Sequence, residues 1–520
     1  MTASDQEPAS ALPRGEDSLR KRYVFKLGAN AISVGISILT QTMVPRALGP
    51  VGYGNFGFLT NFFTQIIEFL DSGVSIGFYN KLSHRSDESG LIRFNWGFIG
   101  LIGLLTTAFV AFVQGAGLGG RLWSGQAVYY VWMAVLYSFL FKVVQITGQI
   151  VDAQGLTVGG EMSRLLQRVL GLAALSLLFW MGRLGLTSYF LCQYFLILCL
   201  LFFWRQVLNR KGVALFPSAP LGRERAKAYA REMYSYASPL MVSGLVALGV
   251  GLLDRWILQT YAGAAEQGFY TLSYQIGAVC FLFTNAMTPL LMREFAKAFG
   301  EKDRERLRTL FRRHIPMLYA VAAFFSAFFA VQSENVAWLL GGSAFHGASA
   351  AITVMAFYPM HQTYGQLSGS LFYATERTRL YRNIGVTFMF LGLPATLWLI
   401  APMSWGLHLG ATGLAVKSVV MNLLEVNVQL WFNSRYLDIP FGRLLWHQVY
   451  SVGLLAGVAV LSSHCAGMAV QGALPELIVS GALYTAAAGL LVLLVPSLFA
   501  VSRQDLARLW RQGLVKAGLS

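Results

Sequence analysis

Ionisable residues stand inside apolar runs of this sequence, among them Glu68, Asp71, Lys142, Asp254, Arg255, Lys417 and, nearer the end of its run, Glu425. A charge at the middle of a bilayer costs about 3 kcal/mol on insertion scales, so six exposed to lipid would cost roughly 15–20 kcal/mol. That exceeds the stability of a typical folded domain, about 5–15 kcal/mol. These groups must therefore pair, lie near an interface, or face a wet cavity.

Two chemistries fit them. The bases can attract a diphosphate, Arg through bidentate contacts and Lys as a point charge. Arg46 at the outer rim, Arg255 in the outer third, Lys417 near the middle and Lys142 toward the cytosol form a candidate ladder for such an anion. Lys142 and Lys417 could instead snorkel or pair with local carboxylates, and Arg46 could cap a helix end. The acids can carry a coupling ion. Glu68 and Asp71 lie three apart on one helix and compete to be ionised, so one could hold a proton near neutral pH; pairing with Lys142 is the alternative. Asp254 and Arg255 are adjacent, about 100° apart around a helix, and cannot easily satisfy each other. Each needs a partner elsewhere, or a ligand. Glu68, Asp71, Asp254 and Glu425 are thus the candidate sites for H+ or Na+, and no other cofactor, metal site or catalytic residue is indicated.

The elements that hold these residues follow from composition. Of 520 residues 55% are hydrophobic and 12% charged, with a mean hydropathy of +0.54. Soluble domains carry about 25% charged residues, so the chain reads as an all-α polytopic membrane protein. Alternating ten-residue strands are absent, which argues against a barrel. Charge-free windows and their breaks predict fourteen transmembrane helices near 27–46, 56–78, 94–115, 126–148, 162–182, 186–205, 236–259, 268–291, 315–333, 351–373, 383–401, 410–432, 446–466 and 477–499. The four cysteines, Cys192, Cys199, Cys280 and Cys465, lie in apolar stretches without metal or disulfide spacing and read as small buried hydrophobes.

Basic residues test that placement, because they gather in cytoplasmic loops. With a cytosolic N-terminus, only Arg46, Arg121 and Arg183 of the 40 Lys and Arg fall on the outer side, and Lys142, Arg255 and Lys417 fall within spans. Both termini are then inside. The net charge of +16 is a topology signal and an attraction to anionic membrane lipids, not a sign of nucleic-acid binding. Two stretches look like helices lying on the cytosolic surface: 301–314, with Leu307, Leu310 and Phe311 on one face, and the tail 501–520, with Leu506, Leu509, Trp510 and Leu514. Trp123, Trp180, Trp338 and Trp405 sit near outer boundaries, as interfacial belts do.

A repeat organises the spans. Shifted by 214 positions, "RALGPVGYGNFGF" (46–58) falls on "TYAGAAEQGFYTL" (260–272), so that Gly49 meets Gly263, Gly54 meets Gly268 and Phe56 meets Tyr270. Each copy lies at the outer turn between the first two helices of a set of six, where glycine permits reversal and close approach. Six spans return the chain to its starting side, giving a parallel repeat. The expected organisation is an N-terminal tail (1–26), an N-lobe (27–206), a basic cytosolic linker (207–235), a C-lobe (236–434), two further helices as an appendix (446–500) and the tail (501–520).

"VPRALGPVGYGNFGF" (44–58), after a basic tail and a first apolar helix, together with "DRWILQTYAGAAEQGFYTLSYQI" (254–276), resembles the MOP superfamily polysaccharide flippases, the Wzx-type transporters of lipid-linked O-antigen repeat units. The resemblance implies two six-helix lobes forming a V that opens alternately to cytosol and periplasm. It implies a substrate too, an undecaprenyl-diphosphate-linked oligosaccharide moved between leaflets of a bacterial cytoplasmic (inner) membrane, and in some relatives a lipid-tail groove on the last two helices. Partners would be the lipid-linked oligosaccharide diphosphate, membrane lipids and a polysaccharide polymerase or export machinery. A lipid II flippase or a multidrug or cation exporter of the same superfamily shares the architecture, although cationic cargo should select acidic cavities. A membrane-embedded glycosyltransferase or ligase would want acids or a nucleophile on a sizeable outer domain, and here the outer loops offer little beyond Glu266, Glu334 and Glu476.

Overall fold

The computed structural model describes residues 19–84, 88–217, 221–276 and 281–500. Tail residues 1–18, the amphipathic segment 501–520 and Cys280 lie outside the described residues; Cys192, Cys199 and Cys465 are free thiols. The described chain is nearly all helix and, among those residues, has no strand. Its helices are α1 (Leu19–Asp71), α2 (Val74–His84), α3 (Ser89–Gly115), α4 (Gly119–Leu122), α5 (Val128–Ala153), α6 (Thr157–Trp180), α7 (Leu186–Asn209), α8 (Arg223–Tyr261) and α9 (Gly263–Ile276). There follow α10 (Phe281–Gly300), α11 (Arg304–Val331), α12 (Ser333–Gly341), α13 (Ser349–Met355), α14 (Tyr358–Ala374), α15 (Thr378–Ile400), α16 (Gly410–Tyr436), α17 (Phe441–Ala469) and α18 (Ala473–Leu494).

Nine of these, α3, α5, α6, α7, α11, α15, α16, α17 and α18, are long and apolar enough to cross a bilayer unaided. The other five expected crossings are composite or overlong. α1 has 53 residues, about 80 Å at 1.5 Å per residue, more than twice the hydrocarbon thickness. It must break, and it does so at Gly49 (φ 65, ψ 174), with Pro50 opening the next helix. A single left-handed glycine replaces the loop expected at 46–56, because proline lacks the N–H that a helix start leaves unused. The second crossing breaks again at Ser72 and Gly73, both at positive φ, before α2. α8 starts at Arg223, so much of the expected linker is helix, and the tenth crossing is assembled from α13 and α14.

One expectation is corrected outright. Residues 304–314 do not lie on the surface as a separate helix; they are the first turns of α11. Leu307 and Phe311 are buried in a core with Ile315, Leu371 and Leu437, so the apolar face is spent on the protein. Arg304 and Arg308 donate to the carbonyls of Tyr436 and Asp438 (2.7 and 2.9 Å) and close the end of α16.

The described residues divide into two compact units, one drawn from residues 19–44, 63–119 and 127–245, the other from 45–62, 120–126 and 246–500. The first is built on Ile67, Phe78, Ile99, Ile146 and Trp204. The second is built on Phe295, Phe311, Tyr319, Tyr364, Leu430 and Tyr484. α17 and α18 pack into that second core. Tyr484 donates to the Phe324 carbonyl (2.9 Å), and Gln332 donates to Ser463 and Ser480 (3.1 and 2.9 Å).

Within the second unit the repeated glycines meet. Gly49 and Gly263 have φ of 65° and 87°. A Cβ on Gly54 would stand 1.8 Å from the Ala264 carbonyl oxygen, one on Gly268 2.1 Å from that of Pro50, and one on Gly57 2.7 Å from Thr271 Oγ1. Gly54 and Gly268, and Gly57 and Thr271, are counterparts under the same shift of 214, so the helices cross where each residue faces its own copy. Overpacking of this kind costs about 1–3 kcal/mol. Gly268→Ala should therefore lower the melting temperature in detergent, whereas Gly453→Ala in α17, where a Cβ meets open space, should hold or raise it. Equal melting temperatures would argue against a tight crossing.

Candidate functional site

α1 and α5 bring three of the intramembrane charges together in the first unit. Lys142 Nζ donates to both oxygens of Glu68 (3.0 Å each) and lies 3.5 Å from Asp71 Oδ2. Asp71 also accepts from Ser75 Oγ (2.5 Å) and from the Ser75 N–H (3.4 Å) in the first turn of α2. One ammonium thus serves two carboxylates, and the second carboxylate is further held by unsatisfied N–H groups at a helix start. The pairing weighed from the sequence is the arrangement present, and Lys142 is nearly fully buried in it.

A second pair lies in the other unit. Lys417 of α16 donates to Asp254 of α8, whose other oxygen accepts from Thr396 Oγ1 of α15 (2.7 Å). The lysine stem runs over Gly392, where a Cβ would come within 2.7 Å of Lys417 Cε. Lys417 thus pairs with the residue that directly precedes Arg255. Asp254 already holds an ammonium and a hydroxyl, which leaves it poorly placed to take a coupling ion.

Arg46 is met within the chain as well. It donates to the carbonyls of Trp338 and Leu339 (2.9 Å each) and lies over the Trp338 ring, 5.1 Å from its centroid. These carbonyls end α12, so Arg46 caps a helix C-terminus. Glu266, one of the few acids of the expected outer loops, does the converse: it accepts from the Ala411 N–H (2.7 Å) at the start of α16.

Arg255 differs from all of these. No carboxylate lies within salt-bridge distance of it among the described residues. Its guanidinium donates to Thr271 Oγ1 (3.0 Å), whose own proton goes to the Gln267 carbonyl (2.7 Å). It lies over the Tyr270 ring, 4.4 Å from the centroid. Tyr270 OH bonds Ser418 Oγ (3.2 Å), and Ser418 donates to the Leu414 carbonyl, so the tyrosine is the donor of that pair. Tyr53 and Tyr274 lie close enough to act on the charge. A guanidinium offers five N–H donors, and Arg255 spends one on protein. The arrangement can accept an anion by a fork of hydrogen bonds, with tyrosine rings beside it suited to stacking on a sugar.

Glu425 of α16 is the acid counterpart. It accepts from Gln429 Nε2 (3.0 Å) and has no Lys, Arg or His within 4 Å among the described residues. α16 extends to Tyr436, which puts Glu425 close to the helix midpoint instead of near an end.

Sequence reasoning missed Thr271, Thr396, Ser75, Gly392 and Gln429. Hydroxyls, amides and small residues carry no mark of their role until the helices that bring them to a charge are known. Thr271 alone left a trace, as the counterpart of Gly57 in the repeat.

Helices long and apolar enough to cross a bilayer, with ion pairs buried among them, define a polytopic membrane protein. Residues 19–291, a little over half of the chain, match the family of polysaccharide biosynthesis proteins, and the protein belongs to that family. No curated protein matches the chain. Among solved structures, the lipid II flippase MurJ in an inward closed conformation is similar at a TM-score of 0.66 and 10% identity, covering 90% of this chain and 99% of that one. A multidrug resistance MATE family transporter of the MOP superfamily, inward-facing, gives 0.62 at 14% identity over 80% and 98%. A MOP superfamily transporter from Pyrococcus furiosus gives 0.51 at 12% identity over 80% and 94%. The fold is that of the MOP superfamily.

Proposed function

We propose that the protein is a flippase that carries an undecaprenyl-diphosphate-linked oligosaccharide from the cytoplasmic to the periplasmic leaflet of a bacterial inner membrane by alternating access. It is a transporter and not an enzyme, with both termini cytosolic, and it hands its cargo to polysaccharide polymerase or export machinery. The observation that carries this reading is Arg255, a guanidinium in a helix expected to span the membrane, with no carboxylate within salt-bridge distance among the described residues and tyrosines around it. A cation kept unpaired there suits an anionic cargo. It does not suit the cationic drugs that an exporter of the same fold would take. Family membership and the MOP fold support the transporter class.

The test is transfer of a fluorescent undecaprenyl-diphosphate oligosaccharide in proteoliposomes, followed by quenching of label in the outer leaflet. Label should reach the far leaflet faster than in protein-free liposomes. A parallel arm with lipid II separates the two diphosphate-lipid cargoes: faster transfer of lipid II than of the oligosaccharide would move the assignment to a lipid II flippase. Equal rates with and without protein, for both lipids, would end the flippase reading.

A further inference from the structure

We propose that Glu425 is the proton-carrying group of the transport cycle, and that a row of tyrosines couples it to the anion site at Arg255. The coupling rests on the flippase reading; the protonation of Glu425 does not.

Among the described residues four carboxylates lie at depth in the spans, and three have a counter-ion. Glu68 and Asp71 share Lys142, and Asp254 holds Lys417. Glu425 has only the Gln429 amide on its own helix. It lies eleven residues before Tyr436, the last of the 27 in α16, hence about 16 Å from that end and deep in the hydrocarbon region. A bare carboxylate at such depth costs about 3 kcal/mol, and taking up a proton removes the cost.

Among the described residues, the neighbouring elements place no Lys, Arg or His within 4 Å of the Glu425 carboxylate. α15 presents Tyr381 and Gly385, where a Cβ would stand 3.5 Å from Glu425 Oε1. Tyr358 of α14 lies within electrostatic reach of Glu425. Several bases on nearby elements are engaged elsewhere. Lys417 is two turns away on Asp254, Arg382 is on Asn383, Arg377 lies over Phe372 and Tyr436, and Arg435 lies over Trp431. Of the histidines, His361 of α14 lies beside Tyr319, and His447 of α17 bonds the Leu498 carbonyl.

From Glu425 the tyrosines continue to Arg255. Tyr358 packs on Tyr274 (ring centroids 6.0 Å apart), Tyr274 on Tyr270 (6.4 Å), and Arg255 lies over Tyr270. With Glu425 protonated, Arg255 has no counter-charge in this unit beyond the already neutralised Asp254, and it takes an anion. With Glu425 ionised, a negative charge stands at the other end of the row. The tyrosine hydroxyls turn toward it, and the field that attracts the anion is weakened. Proton uptake and anion binding then favour each other, and linkage makes that effect reciprocal.

The experiment has two readouts on the full-length protein in nanodiscs. Difference infrared spectroscopy at neutral pH should show the carbonyl stretch of a protonated carboxyl, and Glu425→Gln should remove it; a band unchanged in that variant overturns the protonation. Affinity for undecaprenyl diphosphate should be about tenfold weaker above neutrality than below it in the wild type. Glu425→Gln should hold the tight value throughout, and a variant that keeps the wild-type pH response overturns the coupling. Tyr358→Phe should keep the infrared band and lose the pH response; a retained response overturns the tyrosine route. If the diphosphate lipid binds the wild type at no pH, the flippase reading and the coupling fall, and the infrared band still decides where the proton sits.

Discussion

Lys142→Met is expected to cost about 3–5 kcal/mol of stability, the loss seen when one partner of a buried ion pair is removed and the other stays charged. The case is severe because one ammonium answers two carboxylates. Glu68 retains some exposure to share the burden, but Asp71 is as buried as the lysine and would keep only Ser75. Lys417→Met should cost less, since Asp254 is a single carboxylate and still accepts from Thr396. The decisive comparison is the triple variant Lys142→Met, Glu68→Gln, Asp71→Asn, which removes every charge of the cluster together. Most of the lost melting temperature should return, because neutral groups of similar shape replace a buried ionic cluster at little net cost. Transfer should return with it if the cluster is structural. A triple variant that is stable but does not move substrate would restore Lys142 to the anion path and Glu68 or Asp71 to ion coupling.

The parts of the fold that were legible in the sequence are those where one residue type is forced. Hydropathy marked the spans because lipid admits no other composition, and Gly49, Gly54, Gly263 and Gly268 marked the repeat because no side chain fits their backbone or their crossing. What was not legible depends on distant partners. The chain places Lys142 74 positions from Glu68 and Lys417 163 from Asp254, so pairing remained one option among several. The amphipathic stretch at 304–314 has the pattern of a surface helix, and only the fold reveals that its apolar face meets α14 and its arginines meet the end of α16. Arg46 was ambiguous for the same reason, its carbonyl partners lying 292 and 293 residues away.

Arg255→Ala should abolish transfer while leaving the protein folded, and that combination follows from what Arg255 lacks. Removing it strands no carboxylate, so the stability cost is confined to one hydrogen bond to Thr271 and the contact with Tyr270, about 1 kcal/mol each. For an anion seated on the guanidinium, loss of the charged donor is worth about 2–5 kcal/mol, which is a fall of well over tenfold in binding. Arg255→Lys divides the effect further: it keeps a charge but not the planar fork, and it should transfer substrate at an intermediate rate. Asp254→Asn with Lys417→Met is the matched control, because it removes a neighbouring charge pair of zero net charge and leaves Arg255 in place. Melting temperature in detergent and proteoliposome transfer, measured on the same preparations, separate the cases. Wild-type transfer in a folded Arg255→Ala protein would mean that the diphosphate crosses without this guanidinium, and that its unpaired charge serves some other anion.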